Sequence, residues 1–537
     1  MLYADLVLLN AGVFTVDARD SVSEALAVKA GRFVFVGANH DAEALVGPST
    51  KVVDAGGKTV LPGFIDAHCH LLSLTGKQLL QVDCSAGTVK SVDDIVRALK
   101  RQADKTAKGK WILGVRYDDT KLAERRHPTR WDLDRASTEH PIHLRHVSGH
   151  LGVVNTAALA TAGITKKSSD PEGGSFDRDS SGEPTGVCRE EADFIFLPGI
   201  GGEDSLIPPL TKQQELKALE LACKQYNSLG ITSVGDALVT PSEIETYQSA
   251  LESGSLTVRV YMMVLDSHLS QLRQLRLRTG FGNDWLKLGP IKSFVDGAIA
   301  GRTAWLSEPY EGRPDDFGIP TKTAAEIEQI VGEAHRAGFQ VAVHANGDRA
   351  IQMVLDAYQK ALREQPRADH RHRIAHCTVV NPEILERIKS LGIVVLPFST
   401  YIYEHGEKMN EYGKRISMMF AHRSFLDHGI AVGGSSDNPC ATQNPLLAIR
   451  TMVTRLSAGG EVLGPEQRVS VREAIRIYTM GSAFAAFEEN NKGSIEPGKL
   501  ADFVVLSDDP AAVAPEEIHE IVVEKTYVDG KVVYSRD

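Results

Sequence analysis

Several features that would place a chain in a special environment are missing here. The six cysteines (Cys69, Cys84, Cys188, Cys223, Cys377 and Cys440) show no CxxC spacing, which argues against a zinc ribbon or a disulfide frame. They read as free thiols of a reducing compartment. No apolar run approaches the roughly 20 residues needed to span a bilayer. Basic excess is absent too: 59 Lys and Arg face 70 Asp and Glu, a formal charge of -11. That balance disfavours nucleic acid or an anionic membrane as partner. The start, Met1-Leu2-Tyr3-Ala4-Asp5-Leu6-Val7, has no basic segment and carries an acid inside its apolar stretch, unlike a secretion signal. The expectation is a cytoplasmic globular protein, and the 42% hydrophobic and 24% charged residues are ordinary for one.

At 537 residues the chain exceeds one ordinary core and suggests a large barrel with additions. Residues 1–60 read as short strands and turns: Asp5–Leu9, Ala25–Val28 and Arg32–Val36, with Ala30-Gly31 and Gly56-Gly57 as turns. Residues 486–537 have the same texture, with Asp502–Leu506, Lys525–Val528 and a hairpin turn at Asp529-Gly530. Two strand-rich ends around a different middle predict one β domain built from both termini. Two separate flaps are the plainer alternative.

Residues 61–485 alternate helix and strand. Ile327, Ile330, Val331 and Ala334 keep helical spacing, Gly338 ends the helix, and Phe339–Val343 form a strand running into His344. Asn381-Pro382 opens a second helix, closed by Gly392 before strand Ile393–Leu396. The same phrase recurs at Gly230 (strand Ile231–Val234) and Gly429 (strand Ile430–Val432). Repeated units of this kind predict a parallel sheet closed as a (β/α)8 barrel. The stretch from about 71 to 215 is too long for one such unit and reads as an insertion over one barrel face.

Chemistry in such barrels sits at the C-terminal strand ends, and ligand-type residues recur there. His68 and His70 end the run Leu61–His70. Residues i and i+2 of a strand share a face, so both imidazoles can reach one metal ion. Lys292 lies in Leu288–Gly297, His344 ends Gln340–His344, His376 ends Arg373–His376, and Asp437 follows Ala431–Ser436. Taken singly, each has a plainer reading: a snorkelling lysine, satisfied core histidines, an aspartate capping a turn. Six in order at strand ends point to a metal centre.

This order resembles the amidohydrolase superfamily, in particular its "amidohydrolase 3" branch, which includes N-substituted formamide deformylases. The motifs that carry the likeness are Gly57–His68, Gly149-His150 with Asn155–Leu159, Gly182–Val187, and Gly493–Phe503. The resemblance implies a distorted (β/α)8 TIM barrel with a composite β-sandwich formed by both termini. It also implies two divalent metal ions, zinc being the first expectation. His68 and His70 would hold the more buried ion, together with Asp437, and His344 and His376 the other. Lys292, carboxylated by carbon dioxide to a carbamate, would bridge them. A bridging hydroxide would attack the substrate, and Asp437 would carry its proton to the leaving amine. His150 would come from a loop over the site and orient the substrate carbonyl. Asp296 is a candidate to hold a ligand histidine; Tyr117, Asp118 and Arg302 are further candidates around the substrate. One departure is Ala375, where an acid commonly precedes the histidine.

The function implied is hydrolysis of a C–N bond in a small non-peptide amide. Ester, lactone or carbamate hydrolysis would use the same site. A heterocycle deaminase is the competing reaction, but Gly347 stands three residues after His344, where those enzymes carry a glutamate, and Lys292 is present. A non-catalytic relative would be expected to lose ligands, and none is lost. The partner implied is a small molecule, with a homodimer expected on general grounds. Metal identity stays open between zinc, manganese, iron and cobalt.

Overall fold

In the computed structural model, which describes residues 3–197 and 205–536, the run after Pro62-Gly63 becomes the first strand of a parallel sheet. A side chain at Gly63 would collide with Thr232, its Cβ only 2.3 Å from the Thr232 methyl, so a glycine lets the two chains enter the sheet side by side. Among the described residues the sheet has seven parallel strands in all: β1 Phe64–Cys69, β2 Ile231–Val239, β3 Arg259–Leu265, β4 Leu286–Phe294, β5 Val341–Ala345, β6 Arg373–His376 and β7 Val394–Leu396. Each pairs with the next in chain order. Nearly all of their residues are buried, as in a sheet covered on both faces.

The eighth position is taken by residues 431–438. Val432 and Ser435 pair in parallel with Val395 and Phe398. On the other side Ala67 N donates to Gly434 O at 2.8 Å, and Asp437 N to His68 O at 2.9 Å. The barrel is thereby closed. The expected strand Ile430–Val432 is reduced to these isolated bridges. A Cβ at Gly434 would lie 2.5 Å from the Tyr478 ring, so the segment runs too tightly against its neighbour for ordinary side chains.

The helices between strands end where their caps dictate. Thr323 and Glu326 form a capping box at Ala324–Arg336. Asn381 accepts from Ile384 N and Pro382 takes the first turn of Pro382–Leu391, which stops at left-handed Gly392 (φ 65°).

Both termini contribute to a pair of sheets beside the barrel. One holds Arg32–Gly37, Ala25–Lys29, Leu6–Leu9 and Lys51–Asp54. The other runs Lys531–Ser535, Val523–Val528, Phe503–Leu506, Thr59–Pro62, Gly12–Phe14 and Val22–Ser23, mixing strands from the two chain ends. Leu6, Leu26, Val28, Phe33, Val60, Phe503 and Tyr527 share one core between them. This is the composite sandwich of the expected fold.

The chain divides into two units, 1–73 with 220–537, and 74–219. The second has its own six-stranded sheet, ordered Gly174–Arg178, Pro184–Glu190, Leu151–Val154, Ile142–His146, Ile112–Tyr117 and Val82–Asp83. Its core includes Ile95, Leu99, Tyr117, Leu144 and Val153. No helix among the described residues is long and apolar enough to cross a membrane.

Candidate metal centre

Strands β1, β4, β5 and β6 each end at the same rim with a ligand-type side chain, as parallel barrels require. Asp437 Oδ1 lies 3.1 Å from His70 Nε2 and 3.3 Å from His68 Nε2. Lys292 Nζ lies 3.3 Å from His68 Nε2. The His376 ring sits 5.1 Å from that of His68 and 4.4 Å from that of His344. His344 turns its Nε2 to Gly297 O (3.1 Å) and Asn346 Nδ2 (3.2 Å).

These residues fit a metal. One donor atom each from His68, His376 and Asp437 lie within 4.8 Å of one another, as bonds of about 2 Å to a common ion require. Among the described residues, Nδ1 of His68 and Nδ1 of His376 are buried without a hydrogen-bond partner, a condition that a native fold rarely tolerates unless something else is meant to serve the group. His376 (φ 73°) and Asp437 (φ 54°) hold left-handed backbone, a strain that clusters at functional sites.

The electrostatics suit ligands rather than ion pairs. Burial, then the Lys292 amine, pushes His68 down to about 3, and burial holds His376 well below an ordinary imidazole. Both offer lone pairs at neutral pH. Burial opposes charge on Asp437, but His376, His68 and His70 outweigh it and keep the carboxyl well below its usual range. Lys292 is driven by burial down to about 7, against the pull of Asp437.

Supporting contacts are denser than the sequence revealed. Asp66 Oδ1 accepts from Ser436 N (3.1 Å) and His68 N (3.3 Å), and its Oδ2 accepts from Ser436 Oγ. It thereby ties the histidine pair to the segment carrying Asp437. Asp296 accepts from Gly347 N (2.8 Å), Trp305 N (3.0 Å) and Asn346 N (3.0 Å) and lies 3.5 Å from His344 Nε2, so it fixes the turn after His344. Phe398 stacks on His376 at 4.1 Å with the rings 12° apart. Arg302 pairs with Glu411 at 3.1 Å.

His150 belongs to the 74–219 unit, where its Nδ1 lies 2.8 Å from Glu190 Oε2. That unit also gathers Asp118, Asp119 and His146, with 3.1 Å between His146 Nε2 and Asp119 Oδ1. Tyr117 is buried there, 3.1 Å from His127 Nδ1.

The chain is 33% identical over 541 residues to the N-substituted formamide deformylase of Arthrobacter pascens, covering 99% of this chain and 98% of that one. The crystal structure of an uncharacterized metal-dependent hydrolase from Pyrococcus horikoshii superposes with a TM-score of 0.78 at 26% identity, over 95% of this chain and 99% of the other. One from Pyrococcus furiosus gives 0.75 at 28%, over 94% and 99%. The sequence model of the amidohydrolase family matches residues 51–534. Every barrel strand and every rim residue falls inside that span, and the chain therefore belongs to the amidohydrolase family, as a hydrolase of C–N bonds other than peptide bonds.

Proposed function

We propose that the rim holds two divalent metal ions, zinc in the first instance, and hydrolyses the amide bond of a small N-formyl or N-acyl amine. The observation that carries this is the buried group of His68, His376 and Asp437 with the Lys292 amine beside it. His68, His70 and Asp437 would hold one ion, and His344 and His376 the other. The deformylase relative supplies the choice of substrate class.

Bound ions would supply Lewis acidity at the carbonyl and a water that ionises near neutral pH. The chain's own residues do the rest. A lysine near 7 is substantially neutral at physiological pH, and a neutral amine adds to carbon dioxide. The N–C bond forms, the proton passes to water, and the anionic carbamate that remains would be a further oxygen ligand for the ions. Asp437, ionised and aimed at His68 and His70, accepts the proton of the attacking water at its carboxylate. It then returns that proton to the nitrogen of the breaking bond, so the amine departs neutral. Asp66 and Asp296 hold ligands and act through them.

The test is a product-resolved screen of protein loaded with zinc and bicarbonate. Release of an organic amine from N-formyl or N-acyl amines is expected. Ammonia from amino-heterocycles instead would move the protein to the deaminases, and turnover of lactones alone would replace amide with ester chemistry.

A further inference from the structure

Buried hydrogen-bond donors with no acceptor in the fold mark places where another molecule supplies one. Two of them stand on segments joined to the Asp437 loop. Among the described residues, the phenol proton of Tyr401 and Nε2 of Gln443 have no acceptor, although the residues are only 4% and 3% exposed. The Gln443 amide is not free to turn over: its Oε1 accepts from Asn438 Nδ2 at 2.8 Å, so the unserved atom is the donor.

The two residues belong to one corner of the rim. Tyr401 opens the helix Tyr401–His405, and Gln443 lies six residues after Asp437 in the sequence. The segments are pinned at Thr442. Its N–H donates to Glu404 Oε2 at 3.0 Å, and its carbonyl accepts from Thr400 Oγ1 at 3.1 Å. The Tyr401 ring lies 5.1 Å from Phe398 and 5.5 Å from Phe420, and Phe398 is the ring stacked on His376. The Tyr401 phenol neighbours Ala300, in the loop after β4, and Cys440, in the loop after Asp437. The Ala300 N–H faces the phenol oxygen as a hydrogen-bond donor, which uses a lone pair and leaves the phenol proton unclaimed. An apolar wall that runs from a candidate ligand histidine thus ends at the Tyr401 phenol, on the segment that Thr442 joins to Gln443.

We propose that Tyr401 and Gln443 are specificity residues that donate to an oxygen-bearing group of the substrate other than the scissile carbonyl. That group is a carboxylate or a second carbonyl, and Phe398, Tyr401 and Phe420 face the apolar part of the same molecule. The substrate is then a small amide with an aryl or alkyl body and an additional acceptor. This rests on the amide-hydrolase reading.

The experiment compares N-acetylphenylalanine with N-acetylphenethylamine, which lacks only the carboxylate, on the wild type, Tyr401→Phe and Gln443→Glu, with the melting temperature of each protein. Wild type is expected to favour the acid-bearing substrate in kcat/KM. Tyr401→Phe should cut that preference about tenfold, the size of one hydrogen bond to a charged acceptor, and Gln443→Glu should abolish it by setting carboxylate against carboxylate. An unchanged preference in both variants overturns the proposal, as does a wild type indifferent to the carboxylate. If the wild type cleaves neither amide, the hydrolase reading fails first, and the melting comparison decides this one. Removing a hydroxyl that the fold does not use leaves stability unchanged or raised, whereas a fall of several degrees would mean that the phenol serves the fold through a buried water, which overturns the assignment.

Discussion

The amine of Lys292 stands 3.3 Å from Nε2 of His68, with both residues buried. Two cations at that separation inside a barrel would repel strongly, and burial resolves the conflict by holding Lys292 near 7 and His68 near 3. The neutral fraction of Lys292 therefore changes about tenfold between pH 6 and pH 8. If its neutral amine takes up carbon dioxide, metal-depleted protein given zinc at fixed carbon dioxide pressure gains activity about tenfold faster at pH 8 than at pH 6. Lys292→Ala should lose this dependence along with about three orders of magnitude in activity. The measurement is the rate of activity recovery at the two pH values. Equal rates would remove the lysine from the chemistry.

Asp437 touches both His68 in β1 and His70 just after it, at 3.3 and 3.1 Å. Its proposed work is proton transfer, so Asp437→Asn keeps the size and loses the base. Activity should fall about 10²–10⁴-fold while the melting temperature of metal-depleted protein stays within a few degrees of wild type. The loss should be smaller for substrates whose leaving amine is more acidic, since they need the returned proton less. A uniform loss across leaving groups would point to a ligand role alone.

How much of this could be read from residues depends on the range of the interaction. The helices Ala324–Arg336 and Pro382–Leu391 were legible because their caps are local. The rim histidines were legible because the end of a parallel strand fixes where its last side chain goes. The role of Asp66 was not: its partner Ser436 lies 370 positions away, and nothing near Asp66 signals it. Phe398 reads as ordinary core until it is seen flat against His376. The eighth strand was expected as a run and formed as bridges, because the ring that crowds it, Tyr478, comes from a helical segment more than 40 positions further along the chain.

The motif Lys499-Leu500-Ala501-Asp502 was recognisable, but its use was not. Asp502 receives Arg259 in a buried fork, Nε to Oδ2 at 2.7 Å and Nη2 to Oδ1 at 2.9 Å, with both side chains at most 3% exposed. Arg259 opens β3, so the pair ties the barrel to the terminal strands. Arg259→Met leaves a buried carboxylate unpaired and should cost about 3–5 kcal/mol. Adding Asp502→Asn removes the stranded charge and should recover part of that cost. Urea denaturation of wild type, Arg259→Met and the double variant checks both statements, and a double variant no more stable than Arg259→Met would mean that the fork matters for packing rather than charge.

At the other end of the barrel His335, His372 and His370 form a chain in which every ring nitrogen has a fixed duty. Val341 N donates to His372 Nδ1 at 3.0 Å, so the His372 proton sits on Nε2 and is given to His335 Nδ1 at 2.9 Å. His335 Nε2 then donates to Gln365 O at 2.7 Å. His372 N donates to His370 Nδ1 at 3.0 Å, and His370 Nε2 to Leu391 O at 2.9 Å. A second proton on any ring would set N–H against N–H. Burial holds all three below an ordinary imidazole, and nearby Arg367 adds to the effect on each. The unfolded chain therefore binds protons near pH 6.5 that the fold refuses, so this contribution to stability is complete above that pH and is lost as the pH falls below it. Each refused proton adds about 1.4 kcal/mol per pH unit to the slope. His335→Gln can accept from His372 and donate to Gln365 O without titrating. Metal-depleted His335→Gln should therefore lose stability less steeply than wild type between pH 6.5 and 5, by up to about 1.4 kcal/mol per unit, in urea denaturation at each pH. Parallel curves would show that His335 takes up its proton as readily in the native protein as in the unfolded chain.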